Sequence, residues 1–300
     1  MTFAQPSRHL AAVPAPLLVM TGIVSVQFGG ALAATLLPTV GVAGSVSLRL
    51  VLAAAVLCVI ARPRLRGHSR GDWLAVCGFA VSLGAMNLCF YGALERLPIG
   101  VTVTIEFVGP LVLAAVLSRT RRDVAAVALA ALGVLLVSGA LSTDLASLDL
   151  VGIGLALAAG AWWAAYIIGS RRTGRCFPGL DGLAIAMAIA GIFVLPAGVL
   201  EAGAHLFTAT ALLKGAGIAF LSSVLPYSLE LMALRRLAAN VFGILLSLEP
   251  VAAALAGYIV LGEHLAAVRL FGMALVVAAS VIVLGSGRAQ TAEPTVEEAG

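Results

Sequence analysis

The chain has 300 residues, of which 61% are hydrophobic and only 11% are charged. Because soluble domains carry roughly 25% charged residues, this composition excludes an ordinary soluble enzyme or binding domain. The net charge of +4 does not indicate a nucleic-acid partner here, since membrane topology explains the sign of the charge better. The sequence therefore predicts an all-α integral membrane protein embedded in a lipid bilayer.

Apolar runs long enough to cross a bilayer recur along nearly the whole chain. A hydrocarbon core of about 30 Å requires about 20 apolar residues in a helix. The sequence predicts ten transmembrane helices, at residues 15–35, 42–61, 73–93, 98–117, 124–141, 150–170, 182–200, 214–234, 241–260 and 266–285. The ends are predicted to be cytoplasmic tails, residues 1–14 and a disordered segment 286–300. A cleaved signal peptide is the alternative for the first span, because Arg8, an apolar run and GALAATL imitate one.

The two halves of the chain resemble each other. Residues 75–110 align with residues 215–250 without a gap, so that Ser82 matches Ser222 and Pro110 matches Pro250. A shared proline and a shared loop are more informative than shared alanines, which are common in membrane helices. The alignment predicts two five-helix repeats, at residues 15–143 and 144–285.

Loop charges predict the direction of each repeat. Lys and Arg concentrate in cytoplasmic loops. Most of the 18 basic residues lie in alternate connections, namely residues 61–72, 118–123, 169–176 and 233–237. The other loops carry the acids Asp144, Asp149, Glu201 and Glu263. Both termini should therefore be cytoplasmic and the two repeats inverted, an architecture that secondary transporters use to form a central cavity.

Two glutamates lie within apolar spans. Glu106 stands in VTVTIEFVGP and Glu249 in GILLSLEPVA, each about eight residues into its span. An ionisable group at the centre of a membrane helix costs about 2.5 to 3.5 kcal/mol and usually faces an aqueous cavity or a partner. Substrate or proton binding is one interpretation, and a protonated structural carboxyl group is the other.

Three prolines predict helix kinks close to these polar positions. Pro110 has no N–H for the carbonyl of Glu106, Pro250 leaves the carbonyl of Leu246 unpaired, and Pro226 does the same to Ser222. Membrane helices tolerate proline, so the kinks alone do not identify a site.

Several further polar residues lie in the predicted spans. Asn87, Tyr91, Tyr227 and Gln27 offer neutral hydrogen bonds to a zwitterion, or they form ordinary contacts between helices. Arg49 either binds a substrate carboxylate or neutralises a buried glutamate.

Two residues are weaker candidates for the site. Glu230 lies near Arg235 and Arg236, so an interfacial ion pair and a role in the central cavity are its two interpretations. Trp163 either lines a cavity or packs between helices. Gly152, Ala156 and Gly160 form a stripe of small residues that predicts close helix packing.

Catalytic and metal-binding patterns are missing from the sequence. The four cysteines and four histidines have no metal-ligand spacing, and neither HExxH nor GxSxG occurs. We therefore expect no metal, no cofactor and no enzyme activity.

Two segments carry a family resemblance. FYGALERLPIGVTVTIEFVGPLVLA at 90–114 and SLEPVAAALAGYIVLGEHL at 247–265 resemble the EamA-type transporters of the drug/metabolite transporter superfamily, in particular the bacterial threonine/homoserine exporter group. The LEP motif ending at Pro250 and the GE pair at 262–263 are typical of EamA domains, whereas IEFVGP at 105–110 is more particular to the exporter group. The segment LAAN at 237–240 departs from its counterpart LPIG.

The resemblance implies an exporter in the bacterial inner membrane. It implies ten helices in two inverted repeats, a central cavity and an amino-acid-like substrate. From Glu106 and Glu249 we expect that proton entry helps to drive export. Export of cationic drugs or aromatic metabolites is the alternative, and an intramembrane enzyme is a remote one. The sequence does not predict the oligomeric state.

Overall fold

The computed structural model describes residues 13–138, 141, 149–261 and 266–291, and all of its regular secondary structure in these ranges is helical. The all-α prediction is confirmed for this part of the chain. The acids Asp144 and Glu263, the GE pair and most of the two predicted tails lie outside the described residues.

The helices follow one another with short connections. They are α1 (Ala15–Ala34), α2 (Leu37–Ala61), α3 (Arg70–Leu94), α4 (Ile99–Leu117), α5 (Arg121–Ser138), α6 (Leu150–Cys176), α7 (Asp181–Ala202), α8 (Ala209–Ala219), α9 (Leu225–Leu234), α10 (Ala239–Leu246), α11 (Leu248–Leu261) and α12 (Ala267–Thr291). A 3₁₀ turn, Gly203–Phe207, follows α7, and a π turn, Phe220–Val224, joins α8 to α9.

Many of these helices suit a bilayer. Within the described residues, six helical segments are long and apolar enough to cross a membrane: Leu37–Ala61, Arg70–Leu94, Leu150–Cys176, Asp181–Phe207, Ala209–Leu234 and Ala267–Gly285. Three shorter apolar stretches are Ala15–Gly30, Val101–Leu117 and Ala239–Leu255. Large apolar side chains on their outer faces, such as Phe193 and Leu200, are exposed and suit contact with lipid.

The structure differs from the predicted elements in three places. The predicted span 241–260 is divided at Ser247 into α10 and α11. The backbone of Gly41 leaves the helical region inside α2, with φ 70° and ψ −173°. Helix α12 continues to Thr291, so residues 286–291 are helical and do not belong to a disordered tail.

Helices α2 and α7, which occupy equivalent places in the two halves, pack against each other in antiparallel directions. Their contacts run from Val42–Glu201 through Ser47–Val194 and Cys58–Ala184 to Arg64–Asp181. Gly191 packs on Val51 between these points, and these two positions are separated by 140 residues, the same offset that relates the aligned segments. Positions that the predicted repeats would make equivalent therefore meet at this crossing point, with the chain direction reversed.

A second pair of equivalent helices, α5 and α12, crosses in the same manner. A Cβ atom on Gly133 would lie 2.5 Å from a methyl carbon of Val276, and one on Gly272 would lie 2.7 Å from Cβ of Leu136. The later residue on α5, Leu136, contacts the earlier residue on α12, Gly272, so the two helices run antiparallel. Two further contacts occur in both halves of the chain. Helix α3 packs on α6 in the way that α9 packs on α1, and α4 packs on α6 in the way that α11 packs on α1.

The connections gather at two ends of the bundle according to their charge. At the basic end, His68 stacks on Phe177 with ring centroids 4.2 Å apart, and Arg235 donates to the carbonyl groups of Gly174, Phe177 and Gly179. The opposite end contains residues 35–44, the end of α3, Asp149, Glu201 and Lys214. There Arg96 donates to Asp149 over 3.0 Å, and this hydrogen bond lowers the pKa of the exposed carboxyl group.

The predicted stripe of small residues on α6 is a packing surface, as expected. Ala156 is fully buried, and Gly152 packs on Leu97. A Cβ atom on Gly160 would lie 2.4 Å from the carbonyl oxygen of Glu106. Helices α4 and α6 therefore touch through their backbones at this point.

We expect Gly160→Ala to lower the free energy of unfolding by about 1–3 kcal/mol, because the new methyl group must push α4 and α6 apart. Thermal unfolding of the purified protein in detergent measures the effect. Gly154→Ala is the matched control, since this glycine lies on the same helix with nothing within 4 Å of an added Cβ. Equal melting temperatures for the two variants would contradict the packing argument.

Candidate functional site

A buried arginine lies at the centre of the candidate site. Arg49, in the middle of α2, is 8% exposed. Its Nη2 donates to Oδ1 of Asn87 and, over 2.9 Å, to the hydroxyl of Tyr227, while Nη1 donates to the hydroxyl of Tyr91 over 3.4 Å. The guanidinium carbon also lies 5.9 Å from the ring centroid of Tyr227, which adds a cation–π attraction. We call Arg49, Asn87, Tyr91 and Tyr227 the arginine cluster.

Helices α3 and α9 position the ligands of Arg49. Asn87 and Tyr91 stand one turn apart on α3, so both side chains reach the same side of the helix. The amide of Asn87 donates to the carbonyl of Leu83 over 2.7 Å, which leaves its oxygen directed at Arg49. Tyr227 comes from α9 at the position equivalent to Asn87. Both halves of the chain thus contribute to the coordination of Arg49.

The arginine cluster bears on the two alternatives for Arg49. Within the described part of the chain, no carboxylate lies within salt-bridge distance of its guanidinium group, so Arg49 does not form an ion pair with a buried glutamate. Its Nε atom is buried and has no hydrogen-bond partner. A buried cation with neutral ligands and an unused donor has capacity for an anion.

Three glutamates interact with Arg49 beyond salt-bridge distance. Glu106 and Glu230 are buried and Glu249 is partly buried. Each of them interacts electrostatically with Arg49, and Glu106 and Glu230 also interact with Glu249. The structure therefore brings the two predicted glutamates, Glu106 and Glu249, into one electrostatic group with the arginine.

Glu230 has a different partner from the one that the sequence suggested. Its Oε2 accepts a hydrogen bond of 2.7 Å from the hydroxyl of Tyr166, a residue that the sequence analysis did not select. The neighbouring Arg235 bonds to backbone carbonyl groups instead of to Glu230. The ring of Tyr166 lies 5.4 Å from that of Tyr227, so the Glu230–Tyr166 pair adjoins the arginine cluster.

Two of the three predicted prolines coincide with helix irregularities near these groups. Pro226 follows the π turn, and Pro250 follows the break at Ser247. Pro110 instead lies within an uninterrupted α4. The break places Glu249 in the first turn of α11, where the positive end of the helix dipole favours a carboxylate.

Two predicted residues contribute less directly. Trp163 is buried and packs edge-on against Phe107, with ring centroids 4.8 Å apart, so it supports the helix next to Glu106. Gln27 lies half-buried on α1 and makes no hydrogen bond to the arginine cluster. Neither residue belongs to the polar centre.

An open pocket of about 290 Å³ lies at the end of the bundle opposite the basic end. One wall is the start of α2, and the other is the end of α3. Its lining is mostly apolar, and it comprises Leu37, Pro38, Gly41, Val42, Tyr91, Leu94 and Glu95. Tyr91 belongs to both the lining and the arginine cluster, so the pocket and the candidate site share one side chain.

Comparisons with known proteins agree with this architecture. The model of the EamA-like transporter family matches residues 150–285. The threonine/homoserine exporter RhtA of Escherichia coli K12 is 39% identical over 88% of this chain and 89% of its own length. RhtA of Salmonella typhimurium SL1344 is 37% identical over 94% of both chains.

A solved structure, described only as a crystal structure of a protein, has the same fold. It superposes with a TM-score of 0.73 and 19% sequence identity, over 92% of this chain and 98% of the other. Together with the similarity to the two exporters over most of their length, the matching family model leads to one conclusion: this chain is a multi-pass membrane protein that belongs to the EamA-like transporter family.

Proposed function

We propose that this protein is a secondary transporter that exports small neutral amino acids across the bacterial inner membrane. The observation that carries the proposal is the arginine cluster beside the glutamates, because a zwitterion needs an anion site and a cation site within one small space. The similarity to exporters named for threonine and homoserine supports the same substrate class.

Arg49 supplies the anion site. Guanidinium groups recognise carboxylates through paired, charge-assisted hydrogen bonds. Asn87, Tyr91 and Tyr227 hold the guanidinium in place and satisfy part of its hydrogen-bonding capacity. A substrate carboxylate takes up the remaining capacity and neutralises the buried positive charge.

Glu106 and Glu249 supply the cation site. A carboxylate inside a membrane protein requires a compensating positive charge or a proton. The substrate ammonium group and a proton therefore compete for these two side chains. In this mechanism proton entry displaces the ammonium group and helps to drive export.

The architecture supports transport by alternating access. The antiparallel crossings of α2 with α7 and of α5 with α12 support two inverted repeats of five helices each, ten in all, around a central cavity. The gathering of basic connections at one end supports cytoplasmic placement of that end and of both termini. The open pocket then faces the periplasm.

The cluster also bears on the alternative function, export of cationic drugs. A drug cation would be attracted by the glutamates but repelled by Arg49 at the centre of the same site. An amino acid carries both a carboxylate for Arg49 and an ammonium group for the glutamates, so the site favours the amino-acid hypothesis. Intramembrane enzyme activity has no support, since the curated relatives are exporters.

Replacing the arginine tests the anion site. We expect Arg49→Lys to weaken amino-acid binding by about tenfold or more, because an ammonium group cannot reproduce the paired hydrogen bonds of a guanidinium. Substrate affinity in proteoliposomes measures this effect, with the amine analogue that lacks a carboxylate as the comparison ligand. Arg96→Lys is the control, since Arg96 forms an exposed pair away from the cluster. An unchanged affinity in Arg49→Lys would argue against carboxylate binding there.

Replacing each glutamate tests the cation site. We expect Glu106→Gln and Glu249→Gln to lower proton-dependent export by about tenfold or more, because glutamine carries neither the negative charge nor the exchangeable proton. Efflux from preloaded proteoliposomes, with and without a pH gradient, provides the measurement. Asp72→Asn is the control, because Asp72 caps α3 and bonds to Cys176 and has no contact with the arginine cluster among the described residues. If both glutamine variants export normally under a pH gradient, the coupling mechanism is wrong.

Single-cysteine labelling tests the inverted topology. Gly67 and Ala204 lie in connections that the repeat alignment makes equivalent, and each residue is exposed. In a cysteine-free protein, we expect a membrane-impermeant maleimide to label Gly67→Cys from the cytoplasmic side and Ala204→Cys from the periplasmic side. Labelling of both positions from one side would overturn the inverted arrangement.

A further inference from the structure

The start of α2 contains a bend at Gly41. Gly41 has φ 70°, a conformation that favours glycine, and the helix resumes directly after it. The backbone N–H groups of Val42 and Gly44 therefore begin a new helical stretch without carbonyl partners in the preceding turn. We refer to residues 35–44, which surround this bend, as the bent segment.

A carboxylate from the other half of the chain binds these N–H groups. Oε1 of Glu201, near the end of α7, accepts from the N–H of Val42 over 3.2 Å, and Oε2 accepts from the N–H of Gly44 over 3.1 Å. The carboxylate thus caps the helical stretch at its positive end. A Cβ atom on Gly41 would lie 2.3 Å from Cδ of Glu201, so the fit requires glycine.

A second contact holds the same segment from the same side. Nζ of Lys214, on α8, donates to the carbonyl of Thr35 over 3.2 Å. Apolar contacts add to this attachment, since Leu36 and Val40 share a buried cluster with Ala202 and Leu206. The bent segment is therefore attached to helices α7 and α8 along its whole length.

The opposite face of the bent segment borders the open pocket, although Leu37 and Val42 also pack against the main hydrophobic core. Leu37, Pro38, Gly41 and Val42 line the open pocket across from Tyr91, Leu94 and Glu95. The pocket gives this segment room to move on the side away from the cluster that it shares with Ala202 and Leu206. Movement into the pocket would cover Tyr91 and, behind it, Arg49.

We propose that Glu201 is a positioning residue for export: it holds the bent segment away from α3 and so keeps the route between the arginine cluster and the pocket open. The proposal rests on the proposed function where it treats the pocket as the exit route for substrate. Its structural part, that Glu201 keeps the pocket open, is independent of the substrate and is tested separately.

Labelling of the pocket wall tests the structural part. The probe site is Leu94→Cys in a protein whose four native cysteines are replaced, and the reagent is a membrane-impermeant maleimide added from the pocket side. We expect Glu201→Ala to slow the labelling by about threefold or more, because the bent segment then spends most of its time across the pocket. Glu201→Gln should give an intermediate rate, since its amide oxygen still accepts one of the two N–H groups.

Transport kinetics test the functional part. We expect Glu201→Ala to raise the KM for substrate presented on the pocket side by about threefold or more, because only the open fraction of the protein binds from that side. Binding from the opposite side should not weaken. A purely structural role would lower the amount of folded protein and its melting temperature without this difference between the two sides.

Asp149→Asn is the matched control. Asp149 is another exposed carboxylate that caps a helix at the same end, but it binds Arg96 and the N–H of Val151 and not the bent segment. If Glu201→Ala is folded and labels at the native rate, or if Asp149→Asn slows the labelling equally, the proposal is wrong. If labelling slows but the protein exports no amino acid at all, the proposed function fails while the role of Glu201 in holding the pocket open stands.

Discussion

The structure depends on one constraint: a guanidinium group inside an apolar bundle must have partners. Arg49 obtains them from α3 and α9, which belong to different halves of the chain, so the cation joins the two halves at their centre. Because these partners are neutral, they hold the charge in place without cancelling it. In the proposed function, this positive charge receives the carboxylate of the substrate, and the glutamates that interact with Arg49 receive its ammonium group.

The contacts between the halves define how the site can change. At the crossings of α2 with α7 and of α5 with α12, glycines bring two backbones close together, which favours rotation about fixed points over sliding. The arginine cluster draws on both halves of the chain. A rotation that separates α3 from α9 would change the hydrogen bonds of Arg49, and under the proposed function this would couple substrate binding to the conformation of the bundle.

Much of this could be predicted from the sequence because bilayers impose simple rules. Hydrophobic length indicated the helices, basic connections indicated which loops share an end, and buried charge indicated Arg49, Glu106 and Glu249 as parts of one site. The sequence could not show that Asn87, Tyr91 and Tyr227 bind Arg49, because this requires the relative rotation of three helices. Tyr166 and Glu201 were missed for related reasons: a tyrosine in an aromatic run looks like packing, and a carboxylate at a helix end looks like part of a loop. The bend at Gly41 gives no signal, since glycines are frequent throughout the chain.

The pairing of Val51 with Gly191 has a consequence for the history of the chain. If the two halves descend from one ancestral unit, these positions once faced identical copies of themselves across a symmetry axis, and both were the same residue. A large side chain opposite a small one fits there only when the two sites can mutate separately. On that premise the asymmetric contact would record divergence after gene fusion, and a return to two separate identical subunits would create either a clash or a void at this crossing.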